Sequence, residues 1–224
     1  MNLLLSQEDS VRTRQLVEEI ALKLGILPSE PLPMATVTFS IGTSGRDYST
    51  ITAWEADLDN SGLYNAGDDA VGECYNDSAF DETVVINGGA TIGLTSITLT
   101  VPSGERHDGT EGSGARIVRT TGQADLNLVT NGVDINVEWL EYDANGRENG
   151  GDSLIDIDGA NSRDTRLNWL IIHGTSSSAG DMDATLCQTP RDTYLSNSLF
   201  YDATCTATGS ADVYGIDNIA SNGV

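Results

Sequence analysis

Asp156 and Asp158 stand two apart in Leu154-Ile-Asp-Ile-Asp158, alternating with Ile155 and Ile157. In a strand this spacing sends both carboxylates to one face and both isoleucines to the other. Two outward carboxylates can serve glycoside hydrolysis, one as acid and one as base or nucleophile. They can equally hold Ca²⁺ together with Asp134 or Asp183, because that ion takes hard oxygen ligands. A third reading is a plain solvated face. The composition favours it, since 34 acidic residues make carboxylate pairs common by chance. No DxDxDG order accompanies these residues. The expectation is therefore no resident cofactor and no assigned catalytic residue. Asp156 and Asp158 are the candidate pair, and Asp134, Asp156, Asp158 and Asp183 the candidate Ca²⁺ ligands.

Other reactive side chains are few. His107 falls in a Gly-rich stretch and His173 just after an apolar run, neither beside a GxSxG-type nucleophile, so surface or turn roles are expected. Three cysteines without CxxC spacing (Cys74, Cys187, Cys205) signal neither a disulfide framework nor a zinc site, and Cys187 reads as a small buried hydrophobe. The run from Gly104 to Gly114 is a loop; it lacks the GxxxxGK[ST] order and carries acids, which excludes a phosphate cradle. Tyr142, Tyr201, Trp139 and Trp169 read as outward aromatics. They can stack on sugars, but stabilising the molecule's own face or a trimer interface is the favoured reading.

The charge excludes whole classes of partner. Eleven bases against 34 acids give a net charge of −23, and Lys23 is the single lysine. Such a surface repels phosphate backbones and anionic bilayers, and no apolar run approaches the ~20 residues that span a membrane. Met1–Ser6 is too short for the apolar region of a signal peptide and has no base before it, so secretion by the usual route is not expected.

Two regions must position these residues. In 1–33, Ser6-Gln-Glu-Asp9 starts an α-helix whose apolar stripe is Leu16, Val17, Ile20, Ala21 and Leu24. Gly25 ends it, and Pro28, Pro31 and Pro33 make a stiff tether. A helix meant for its own core rarely needs such a spacer. Leu16, Val17, Ile20 and Leu24 are therefore expected to dock on a partner protein or to form a three-fold bundle. From 34 to 224 strands and turns replace helix. Residues 34–62 form a capping segment: Thr36–Ile41 alternates with period two, and Ile51, Trp54 and Leu58 share one face of a short helix, with Trp54 a core plug. Strands are expected over Ala70–Tyr75, Thr83–Ile86, Ser96–Val101 and Arg116–Val118.

A repeat then emerges. Trp139-Leu-Glu-Tyr-Asp-Ala144, Trp169-Leu-Ile-Ile-His-Gly174 and Ser198-Leu-Phe-Tyr-Asp-Ala203 align, with Leu140, Leu170 and Leu199 stepping by 30 and 29 residues. Leu128, Ile157, Cys187 and Ile216 step by 29, 30 and 29. Two strand sets on one period specify a solenoid, whose turns bury their apolar sides only by stacking. The expected fold is all-β, a right-handed parallel β-helix with coils of about 30 residues after an N-terminal α-helix. The strand after Ile216 would fall near residue 228, beyond Val224. The expectation is that a partner chain covers that open edge or that the natural chain continues.

The run Ile41-Gly-Thr-Ser-Gly-Arg-Asp-Tyr48-Ser-Thr-Ile51-Thr-Ala-Trp54 resembles the opening of pectin-lyase-like parallel β-helix proteins. With the helix before it, the whole chain resembles phage virion fibres and spikes. That resemblance implies a trimeric structural protein on the virion exterior. Residues 1–33 would dock on capsid or tail proteins, and the acidic shaft would meet a host surface glycan, with no nucleic-acid partner and no membrane insertion. It also implies an alternative, a depolymerase or lyase acting on polysaccharide. Lyases of this class use Lys or Arg as base, and here Lys23 lies in the N-terminal helix.

Overall fold

The computed structural model describes residues 34–119, 126–129, 132–148, 153–158, 163–177, 182–187, 193–205, 213–214 and 217–218. The expected N-terminal helix, with Leu16, Val17, Ile20 and Leu24, lies outside the described residues. The described residues form an all-β parallel solenoid of about four turns with almost no helix.

Strand β1 (Thr36–Ile41) enters as its alternation predicts and leads to helix α1 (Ile51–Glu55). The Thr50 side chain accepts the Ala53 N–H at 3.1 Å, and Glu82 from the next turn accepts those of Ile51 and Thr52. A five-residue helix is too short to hold itself, so these caps and its buried face keep it folded. Ile51, Trp54 and Leu58 are all fully buried.

Successive turns then visit three sheets in order. Strands β2 (Asp69–Cys74) and β3 (Val84–Ile86) form the first turn, with Phe80 bridging to Ile117 between them. The second turn is β4 (Ser96–Thr100), β5 (Arg116–Val118) and β6 (Leu126–Val129). The third is β7 (Asp134–Glu138), β8 (Glu141–Glu148) and β9 (Ser153–Asp158). The fourth is β10 (Thr165–Asn168), β11 (Ile171–Ser177) and β12 (Met182–Cys187). A final partial turn of short strands follows: β13 (Thr193–Ser196), β14 (Leu199–Phe200), β15 (Ala203–Cys205), β16 (Val213–Tyr214) and β17 (Asp217–Asn218). The first sheet runs β1-β2-β4-β7-β10-β13 and the second β5-β8-β11-β14, with β15 also on β11. The third runs β3-β6-β9-β12-β16, with β17 also on β12, and every pairing is parallel.

Register sets the core as columns. Leu99, Val137 and Leu167 lie over one another on the first sheet, and Ile86, Leu128 and Ile157 on the third. The column above Leu99 reaches Gly72, where a Cβ would lie 3.0 Å from the Trp54 ring. Trp54 thus fills the end of the core, the expected plug. Its Nε1–H donates to the Tyr64 hydroxyl at 3.2 Å, which satisfies the indole's one polar group. Cys74 is also buried here, and burial pushes its thiol above the ordinary value, so it is a core residue and not a nucleophile.

Three expectations are corrected by register. Leu170 does stack over Leu140, since the Ile171 N–H donates to the Leu140 carbonyl at 3.2 Å. Leu199, however, pairs with Ile171, so the third copy of the repeat slips by one residue. A one-residue slip in a strand exchanges inside for outside, and Leu199 is 50% exposed where Leu170 is 3%. Tyr142, expected outward, pairs between Ile117 and Ile172 in the buried column of the second sheet. On the third sheet Cys187 pairs with Ile157 as expected, but its other neighbour is Asn218 and not Ile216.

The slip generates a direct test. Leu170→Ala should lower unfolding free energy in urea by about 2–5 kcal/mol, the range for emptying a core leucine site. Leu199→Ala should change it by no more than about 0.5 kcal/mol. Equal losses in the two variants would restore the leucine column that the slip removes.

Candidate functional site

Where the chain passes from the first sheet to the second it turns a corner at one residue per coil. Trp139, Trp169 and Asn197 occupy that place with φ of 60°, 56° and 50°. The left-handed conformation makes a sharp turn while keeping the ladder: the Trp139 N–H donates to Asn168 O and the Trp169 N–H to Ser196 O. Because the coils repeat in register, the two indoles stack, 4.7 Å apart and 6° from parallel. That separation matches the ~4.7–4.9 Å between neighbouring strands. The Arg106 guanidinium covers the first indole, 4.6 Å from its centroid. Trp169 at the other end is 40% exposed.

The loop between β4 and β5 supplies a wall beside this stack. His107 Nε2–H donates to the Trp169 carbonyl at 2.7 Å. In the neutral ring this leaves Nδ1 as an acceptor, and that buried atom has no hydrogen-bond partner. Asp108 is held by the Thr110 N–H and the Ser113 hydroxyl at 2.9 and 3.0 Å. Bonds from Thr110 and Ser113 keep its carboxyl below the ordinary value, so it stays ionised. At Gly114 any Cβ would collide with the His107 backbone, which explains the glycine. Between loop and corner lies a cavity of about 560 Å³, lined by His107, Asp108, Trp169, Asn197 and Leu199 among others.

The same loop covers the outer face of the second sheet. Glu141 points out from β8, yet it is completely buried. Its Oε2 accepts the Gly112 N–H at 2.7 Å and its Oε1 accepts from His173 Nε2 at 3.0 Å. His173 Nδ1 lies 3.8 Å from Asp143, and Tyr201 stacks flat on the imidazole with centroids 5.0 Å apart. The Tyr201 hydroxyl reaches Glu111 of the loop at 3.4 Å. Partial burial, then the charges of Glu111 and Glu141, hold that hydroxyl above its ordinary value, so it acts as a neutral donor. Both Glu141 oxygens are engaged and neither is exposed. Its work is to clamp the loop, not to meet a substrate.

The carboxylates singled out from sequence are dispersed. Asp134 opens β7 on the first sheet and accepts the Asp164 N–H at 3.1 Å. Asp156 and Asp158 lie on β9 of the third sheet, with Ile155 and Ile157 buried inward and Asp156 half-buried on the other side. Asp183 pairs with Ser153 at the opposite end of β9 from Asp158, a span of roughly 16 Å along a strand. Asp156 and Asp158 stay two residues apart on one strand, and register brings neither Asp134 nor Asp183 beside them. Among the described residues no group of three His, Cys, Asp or Glu is arranged for a metal.

Sequence reasoning missed Glu141 and the corner itself. Both left a trace: a glutamate stands where neighbouring coils carry Ile171 and Leu199, and the Trp-Leu pair recurs. Trp139 and Trp169, two of the four aromatics read as outward, stack on one another. Comparison with family models, with curated proteins and with solved structures returns no match.

Glu141→Ala leaves the Gly112 N–H and the buried His173 imidazole without their acceptor and should cost about 3–5 kcal/mol, as for removing one partner of a buried pair. Glu141→Gln keeps an acceptor for Gly112 and should cost about 1–3 kcal/mol. Limited proteolysis within 104–114 should accelerate in the same order. Identical stability of wild type and Glu141→Ala would show that the clamp is idle.

Proposed function

We propose that this chain is a virion structural protein, a phage fibre or spike on capsid or tail, built on a right-handed β-helix of the pectin-lyase-like class. The observation that carries the reading is the three-sided parallel solenoid following a Pro-tethered amphipathic segment. Stacked coils make a shaft because each turn presents the next with the same edge. A net charge of −23 keeps such a shaft from adhering to anionic surfaces and nucleic acid. Attachment then falls to the helix face Leu16, Val17, Ile20 and Leu24, as a three-fold bundle or against the particle. The solenoid projects outward for surface attachment.

Removing residues 1–27 should abolish incorporation into particles while circular dichroism and the melting temperature of the solenoid stay unchanged. Normal incorporation of the truncated chain would refute the docking role. Sustained product release from a polysaccharide, lost in Asp156→Asn with Asp158→Asn, would put the depolymerase reading in its place.

A further inference from the structure

We infer that the cleft beside Trp169 is a binding site for an uncharged hexopyranose unit of a surface polysaccharide. This deepens the attachment role proposed above by giving it a site and a ligand class, and it rests on that reading for its biological setting alone.

The first support is the backbone. A bulky residue with φ near +60° is a genuine outlier, and each such residue costs on the order of 1–3 kcal/mol. At the third corner the chain uses Asn197, a residue suited to this conformation. The backbone therefore asks for Asn or Gly at all three corners, and tryptophan at 139 and 169 is retained against that preference. Stacking on one another offsets part of the cost, about 0.5–1.5 kcal/mol for an aromatic pair.

The second support is what the short side chain at 197 leaves open. A third indole there would continue the stack over Trp169. Asn197 does not, so the outer face of Trp169 borders a cavity of about 560 Å³, within the ~300–1,000 Å³ of small-molecule sites. A flat, electron-rich ring face of this kind attracts the polarised C–H groups of a pyranose. Trp139 and the Arg106 cation back the ring from behind and fix its plane.

Polar groups on the wall choose among sugars. His107 is more than nine-tenths buried, lines the cleft, and carries an acceptor nitrogen without a partner. A buried acceptor left bare is costly, and a ligand hydroxyl would relieve that cost only by reaching an atom the wall now covers. The Asp108 carboxylate on the same wall, in a chain of net charge −23, repels uronates and sialates.

Isothermal titration of the full chain with neutral hexasaccharides of glucose, galactose and mannose, and with hexagalacturonate, tests the assignment. At least one neutral hexasaccharide should bind and hexagalacturonate should not. Trp169→Ala should weaken binding at least tenfold. Asn197→Trp, which fills the cleft with a residue the corner already tolerates twice, should do the same. Tyr194→Ala, an exposed aromatic on the first sheet, should leave affinity within twofold. Circular dichroism confirms that each variant is folded, and Asn197→Trp carries the test should Trp169→Ala unfold. Absence of binding by every neutral hexasaccharide overturns the proposal. So does affinity unchanged in both cleft variants, or a loss of oligomer mass in Trp169→Ala without sugar binding, which would assign the face to a second copy. Particle incorporation, measured separately, decides the virion reading whatever the sugar result.

Discussion

The solenoid depends throughout on constant register between parallel coils. No coil can bury its own inward residues, and no strand closes its hydrogen bonds without the coil before and after it. Fixed register stacks Leu99 on Val137 on Leu167 inside and, by the same operation, Trp139 on Trp169 outside. An aromatic stack on the outer surface is thus a by-product of the core. Where the register slips, as at Leu199, an inward position becomes an outward one and the surface changes character.

The acids that dominate the composition have a structural use as well as a solubility effect. Turns between strands expose N–H groups that no neighbouring coil can satisfy, and carboxylates take many of them. Asp68 accepts from Ala35 and Asn65, Glu55 from Asn87 and Gly88, Asp59 from Thr91 and Ile92, and Glu82 from Ile51 and Thr52. Charge-assisted bonds of this kind are about twice as strong as neutral ones. Glu141 extends the pattern to a buried position beneath the loop, tying the Gly112 backbone to His173 and so fixing the loop that walls the cleft.

These two features meet at one corner. Register places the indoles, and the acid-anchored loop sets His107 and Asp108 beside them. The result is a concave aromatic cleft on the outer side of the solenoid.

Most of the architecture is legible in the residues. Period-two alternation marks Thr36–Ile41, which is β1 to the residue, and Ile51, Trp54 and Leu58 mark the cap. The thirty-residue step of two strand sets declares stacked coils, because chemistry repeated at a fixed interval is what stacking requires. The site was only partly legible. Trp139 and Trp169 announce themselves as outward aromatics, yet their left-handed backbone, the exposure of Leu199 and the burial of Tyr142 do not. Neither does the junction of Gly112, Glu141 and His173, drawn from positions 29 and 32 residues apart. Sequence by itself determined the kind of fold and the period of its coils, since both follow from local alternation and spacing. The tertiary structure alone decided which residues face the cleft, because a single-residue slip between coils reverses every side chain after it.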